Sequence, residues 1–138
     1  MVYYFYTEMP LPYTSFGTLR ASSKDGLHRL ALDVDPSIVE VARALIPKYV
    51  KLNRTRYDPH VSVVRETQPL PGWGKHNGEV VPFTYDTRIY EGEVYWWFRV
   101  ESPRLLAVRI ELGLEPMDWY TRPPDNSDFF HVTIGNFK

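Results

Sequence analysis

His60-Val61-Ser62-Val63 and His131-Val132-Thr133-Ile134 share one pattern: histidine, apolar residue, hydroxyl residue, apolar residue. Along an extended strand successive side chains point to opposite faces. His60 and Ser62 therefore share one face against Val61 and Val63, and His131 and Thr133 do the same against Val132 and Ile134. Each strand offers an imidazole beside a hydroxyl, backed by residues suited to a core. A lone histidine of this kind is usually a half-buried strand residue; the repetition is what points to chemistry.

Imidazole titrates near neutrality, so two facing rings can act as opposed base and acid. One accepts a proton from a nucleophile while the other donates to a leaving oxygen. The hydroxyls of Ser62 and Thr133 can donate to non-bridging oxygens, and an imidazolium can stabilise the charge that develops there. In-line displacement at a phosphodiester needs such a donor and acceptor on opposite sides of phosphorus, and it needs no cofactor. A metal-hydrolase reading would use His60, His131 and Asp58, but the sequence has no His-x-x-x-His or Glu-spaced ligand set.

The elements that must position these residues follow from the sequence around them. Residues 2 to 7 form a β-prone aromatic run, closed by Pro10-Leu11-Pro12. Gly17 to Ala21 and His28 to Val34 are expected as a hairpin across the connection Ser22-Ser23-Lys24-Asp25-Gly26. Asp35-Pro36 has helix-start chemistry, a capping carboxylate followed by proline at the first helical position. Ile38, Val41, Ala42 and Leu45 give an apolar stripe at helical spacing, and Pro47 limits the helix. The segment 68 to 78, rich in proline and glycine, is expected as a mobile flap. Strands are expected over 79 to 85, near 88 to 90 and over 93 to 101. Ser102-Pro103 repeats the helix start, Leu105, Leu106, Val108 or Arg109, and Leu112 carry the stripe, and Gly113 ends it.

The same order thus occurs twice: strand, proline-started helix, loop, His-x-Ser/Thr strand. An internal duplication is expected, with two similar lobes that bring the histidine strands together. Two such motifs in a duplicated α+β domain of this size resemble the 2H phosphoesterase superfamily. That group includes RNA ligase-like cyclic phosphodiesterases, the cyclic nucleotide phosphodiesterase of vertebrate myelin, and phage anti-CBASS enzymes that cut cyclic oligonucleotide immune signals. The resemblance implies a single domain over 1–138 with antiparallel sheets forming a central cleft and two main helices outside. It implies His60 and His131 as the acid/base pair, with Ser62 and Thr133 as phosphate-binding hydroxyls. Ser62 stands where threonine is commoner in that family. Little chain follows Thr133, so contacts that some branches make from a C-terminal extension are expected to have no counterpart here.

The implied activity is metal-independent cleavage of a small cyclic nucleotide or cyclic oligonucleotide. The alternatives are a 2',3'-cyclic phosphodiesterase acting on RNA ends and a catalytically silent nucleotide-binding module. With 43% hydrophobic residues, the 138-residue chain can bury the core of one domain. A net charge of −1 argues against a long RNA track, which needs a basic surplus. Tyr57, Trp73, Trp119 and Tyr120 are candidate stacking surfaces for bases, and Arg56 and Lys75 candidate phosphate contacts, with Arg122 behind them. Lys48, Lys51, Arg54 and Arg56 could draw an anion to the mouth of the site. His28 and His76 are left as structural or solvent-exposed. The absence of cysteine, of a membrane-length apolar stretch and of signal-peptide features in Met1 to Tyr6 sets the expectation of a soluble, intracellular protein. The resemblance implies the cytoplasm of a bacterium or, for a phage enzyme, of its host, and a monomer is expected.

Overall fold

A computed structural model describes residues 11–138; the aromatic run at 2 to 7 lies outside them. Seven strands and two helices follow in the order β1 (Tyr13–Lys24), β2 (Leu27–Val34), α1 (Pro36–Ala44), β3 (His60–Glu66), β4 (Val80–Tyr85), β5 (Tyr90–Glu91), β6 (Tyr95–Glu101), α2 (Pro103–Glu111) and β7 (Phe130–Asn136). The fold is α+β. All strand pairs are antiparallel, in the order β4-β1-β2-β3-β7-β6-β5. β4 also pairs with β6 through Thr84–Glu101 and Tyr85–Val100, so the strand order closes on itself. β3 and β7, the two histidine strands, are neighbours in this sheet.

Local chemistry explains the boundaries. Asp25 and Gly26 both have positive φ, 53° and 75°, as a two-residue hairpin turn matched to strand twist requires. The turn is therefore shorter than expected, and Ser22 to Lys24 belong to β1. Asp35 caps α1 by accepting from the Ser37 N–H at 2.9 Å, and Ser102 caps α2 by accepting from the Leu105 N–H at 3.2 Å. Gly113, at φ 86°, closes α2: its N–H donates to Ile110 O and that of Leu114 to Arg109 O, a Schellman end.

One core joins the sheet to both helices. Leu19, Leu32, Val61, Phe98, Val132 and Ile134 on the sheet pack with Val39 and Ala42 of α1 and Leu105 and Val108 of α2. The buried side of α1 differs from the expected stripe, since Val41 and Leu45 are exposed. On α2, Arg109 takes a core position and is 1% exposed. No helix among the described residues is long and apolar enough to cross a membrane.

Candidate active site

β3 and β7 meet at the pair Val61–Val132, both fully buried. An antiparallel pair has a local two-fold axis perpendicular to the strands. Here that axis places Ser62 on the His131 side of the pair and His60 on the Thr133 side. Alternation then sends all four polar side chains to the face opposite the core, where each is half-buried.

Both motifs end in a β-bulge. Ala31 pairs with Ser62 and Leu30 with Val64, so Val63 has no partner on β2. Trp97 pairs with Thr133 and Trp96 with Gly135, so Ile134 has none on β6. A bulge leaves backbone groups without their ladder bonds, and in each motif a helix arginine reaches the unpaired carbonyl. Arg109 of α2 donates from Nη1 to Val63 O at 2.6 Å. Arg43 of α1 donates from Nη1 to Ile134 O at 2.7 Å. Each helix thus anchors the motif of the other half, and the charge-assisted bonds fix the strand where its hydroxyl residue sits.

The histidines are held alike. The Nδ1 of His60 lies 2.9 Å from Asp58 O, and that of His131 3.2 Å from Thr121 O. A carbonyl only accepts, so each Nδ1 carries the proton and each neutral ring has its lone pair on Nε2. Neither Nε2 bonds to protein among the described residues. Thr121 O is in turn positioned by Asp118, whose Oδ1 accepts from the N–H groups of Tyr120 and Thr121 at 2.9 and 3.0 Å. Arg109 completes that chain by donating to Asp118 Oδ2 at 3.1 Å. One buried guanidinium therefore supports both the β3 bulge and the turn that orients His131.

The environments of the rings differ. Crowding removes water from His131 and lowers its pKa from 6.5 to about 4, with the neighbouring His60 charge acting in the same direction and the Thr121 carbonyl and Asp125 opposing. His131 is thereby neutral at pH 7, with an accepting Nε2.

His60, Ser62, His131 and Thr133 line one cavity of about 390 Å³, together with Arg56, Tyr57, Tyr95, Asn136 and Lys138. The Ser62 and Thr133 hydroxyls make no hydrogen bond to described protein atoms, so both can donate to a ligand. Two further openings continue from this cavity. One, about 960 Å³, passes His60 and Ser62 to Arg20, Lys24, Arg29, Arg65 and Tyr120. The other, about 510 Å³, passes His131 and Thr133 to Trp119, Tyr120, Arg122 and Asn126. Ser62 borders all three, which together form one groove across the polar face of the sheet. Among the described residues, no three His, Cys, Asp or Glu side chains gather closely enough to hold a metal ion.

The structure brings Tyr57, Arg56, Trp119 and Tyr120 to this groove. It does not bring Trp73 or Lys75, which line none of the three openings. Trp73 packs against the core and edge-on to His28, with centroids 5.8 Å apart. The 68 to 78 segment is a tied-down run of turns, not a lid over the histidines. Gly78 N–H donates to Leu19 O at 2.7 Å, the Asn77 side chain accepts from Ala21 N–H at 2.9 Å, and His76 is buried between Glu79 and Glu111. The expected basic mouth also divides: Arg54 pairs with Glu40, and only Arg56 of the four lines the cavity. Sequence reasoning missed Tyr95, Asn136, Arg29 and Arg65, which strand register alone delivers to this face. Comparison with protein-family models, with curated proteins and with solved structures finds no match to this chain.

Proposed function

We propose that the chain is a metal-independent phosphodiesterase of the 2H phosphoesterase type, acting on a small cyclic nucleotide or cyclic oligonucleotide. One observation carries this reading: two histidines on adjacent strands, each with Nδ1–H donated to a backbone carbonyl, share one cavity with two hydroxyls that have no protein partner. The twin bulges and the crossed bonds from Arg43 and Arg109 support an origin by duplication and a two-lobed description of the sheet.

In this reading the non-bridging oxygens of the phosphodiester accept from Ser62 and Thr133, with Arg56 and Lys138 supplying positive charge. His131, kept neutral by crowding, takes a proton on Nε2 from the attacking hydroxyl, either water or a neighbouring ribose 2'-hydroxyl. The new P–O bond forms as the opposite one breaks. His60, in its imidazolium form, gives its Nε2 proton to the leaving oxygen and returns to the Nδ1–H tautomer that Asp58 O favours. Solvent exchange then resets both rings. No step requires a metal.

The test is turnover of 2',3'-cyclic nucleotides, RNA ends bearing such a group, and cyclic di- and trinucleotides, all in EDTA. Wild type is expected to cleave at least one of these, with His60→Ala and His131→Ala each reduced by about 10²–10⁴-fold. Full activity in both variants, or loss of wild-type activity on chelation, overturns the proposal.

A further inference from the structure

Arg29 of β2 and Arg65 of β3 stand directly opposite each other in the sheet. Like charges in that position destabilise a strand pair. Neither guanidinium has an ion pair or side-chain hydrogen bond among the described residues. Arg20, on the same face, has its charge answered by Asp33 through two bonds of 2.9 and 3.1 Å. Arg65 instead lies over the Tyr120 ring, 5.5 Å from its centroid. Both arginines line the opening of about 960 Å³ that continues from His60 and Ser62, and Lys24 adds a third cation there.

The bulge makes this arrangement. With strict alternation from His60, Arg65 would fall on the core face; the unpaired Val63 turns it to the side of His60 and Ser62. The same irregularity that Arg109 stabilises at the catalytic hydroxyl therefore also presents a cation to the groove. Arg65 stands three positions after Ser62, at most about 10 Å between their Cα atoms. The long arginine arms span the remaining distance to a ligand.

We infer that Arg29 and Arg65, with Tyr120 beneath Arg65, form a subsite for a second phosphate, one nucleoside away from the phosphate held by Ser62 and Thr133. The inference rests on the phosphodiesterase reading and narrows it. The preferred substrate carries at least two phosphates, and a nucleoside 2',3'-cyclic monophosphate fills only part of the groove. Two guanidiniums from directly opposite residues, both lining one opening, suit a phosphate dianion or a phosphodiester, whose charge answers theirs. The Tyr120 edge reaches both the arginine opening and the one beyond His131, so it borders the path between the two phosphates.

Three probes separate the sources of that phosphate: a nucleoside 2',3'-cyclic phosphate, the same molecule with an added 5'-phosphate, and a dinucleotide ending in the 2',3'-cyclic phosphate. Affinity is measured calorimetrically on His60→Ala, which prevents turnover, with and without Arg29→Gln/Arg65→Gln. One or both doubly phosphorylated probes are expected to bind at least about tenfold more tightly than the first. The arginine changes should abolish that advantage while leaving the first probe unaffected. The melting temperature of Arg29→Gln/Arg65→Gln is expected at or above that of wild type, because a like-charged pair is removed. Equal affinities for all three probes, an advantage that survives the arginine changes, or a fall in melting temperature overturns the subsite. Parallel turnover by wild type keeps the two claims apart. An arginine-dependent advantage without turnover retains the subsite and sinks catalysis; turnover without such an advantage does the reverse.

Discussion

The β3 and β7 halves of the site are built alike and surrounded differently. In both, a His-x-Ser/Thr strand ends in a bulge, a helix arginine from the opposite half holds the bulged carbonyl, and a backbone carbonyl fixes the histidine tautomer. The supports differ in depth. Arg109 is fully buried and also anchors Asp118, whereas Arg43 is only partly covered and bonds to backbone of the connecting segment at Leu52. The rings differ as well. Asp58, whose carbonyl holds His60, is two residues away, while His131 is held by a turn ten residues upstream and is crowded enough to stay neutral. Repetition therefore supplies two similar histidine settings and unequal burial makes the rings differ; in the proposed mechanism that difference makes His131 the base and His60 the acid.

The largest effect expected from this asymmetry is on stability. Arg109→Met leaves Val63 O and Asp118 without their buried partner and should cost about 3–5 kcal/mol. Arg43→Met, in a wetter setting, should cost about 1–3 kcal/mol. Urea unfolding of the two variants measures the difference, and equal losses would remove the claim that Arg109 is the deeper of the two supports. Next in size, Ser62→Ala and Thr133→Val should each lower kcat by about 10²-fold with folding intact, as expected for donors to a developing charge. An effect from only one of them, read by steady-state kinetics, would make the hydroxyls unequal where the strand geometry makes them equivalent.

The smallest effect is on pH dependence. The folded-state pKa of His131, about 4, lies below its unfolded value of 6.5. Above pH 6.5 the ring is neutral in both states and its contribution is complete; between pH 6.5 and 4 the unfolded chain binds a proton that the folded one refuses, so stability falls across that window. Ring resonances of His131 followed by NMR should stay constant from pH 8 to 5 and move only near 4. A midpoint near 6.5 would assign the neutral role elsewhere.

What the sequence revealed was local. The caps at Asp35 and Ser102, the glycine end at Gly113 and the two tetrapeptides depend on residues within four positions of each other, and they appear in the structure as expected. What it concealed depends on pairing across the sheet. The bulges at Val63 and Ile134 are defined only by the register of the neighbouring strand, so neither the anchoring roles of Arg43 and Arg109 nor the outward turn of Arg65 could be read in advance. Trp73 misled for a related reason. A proline- and glycine-rich segment suggests a free loop, but Asn77 and Gly78 bond to β1, and that tie holds the segment against the fold, outside the groove. The stripe of α1 is met only in part: Ala42 is buried and Ile38 packs against the core as expected, but Val39 is buried where Val41, two positions on, was expected, because the nine-residue helix gives too few turns to settle the phase.

In the proposed mechanism His60 and His131 act as one unit in one reaction. This is tested most directly by comparing kcat/KM for wild type, His60→Ala, His131→Ala and the double variant on the best substrate found. Groups that work together in a single step lose most of their effect when either is removed. The double variant is therefore expected to be about as active as the weaker single variant. Losses that multiply, or either single variant at the wild-type rate, would contradict the two-histidine mechanism.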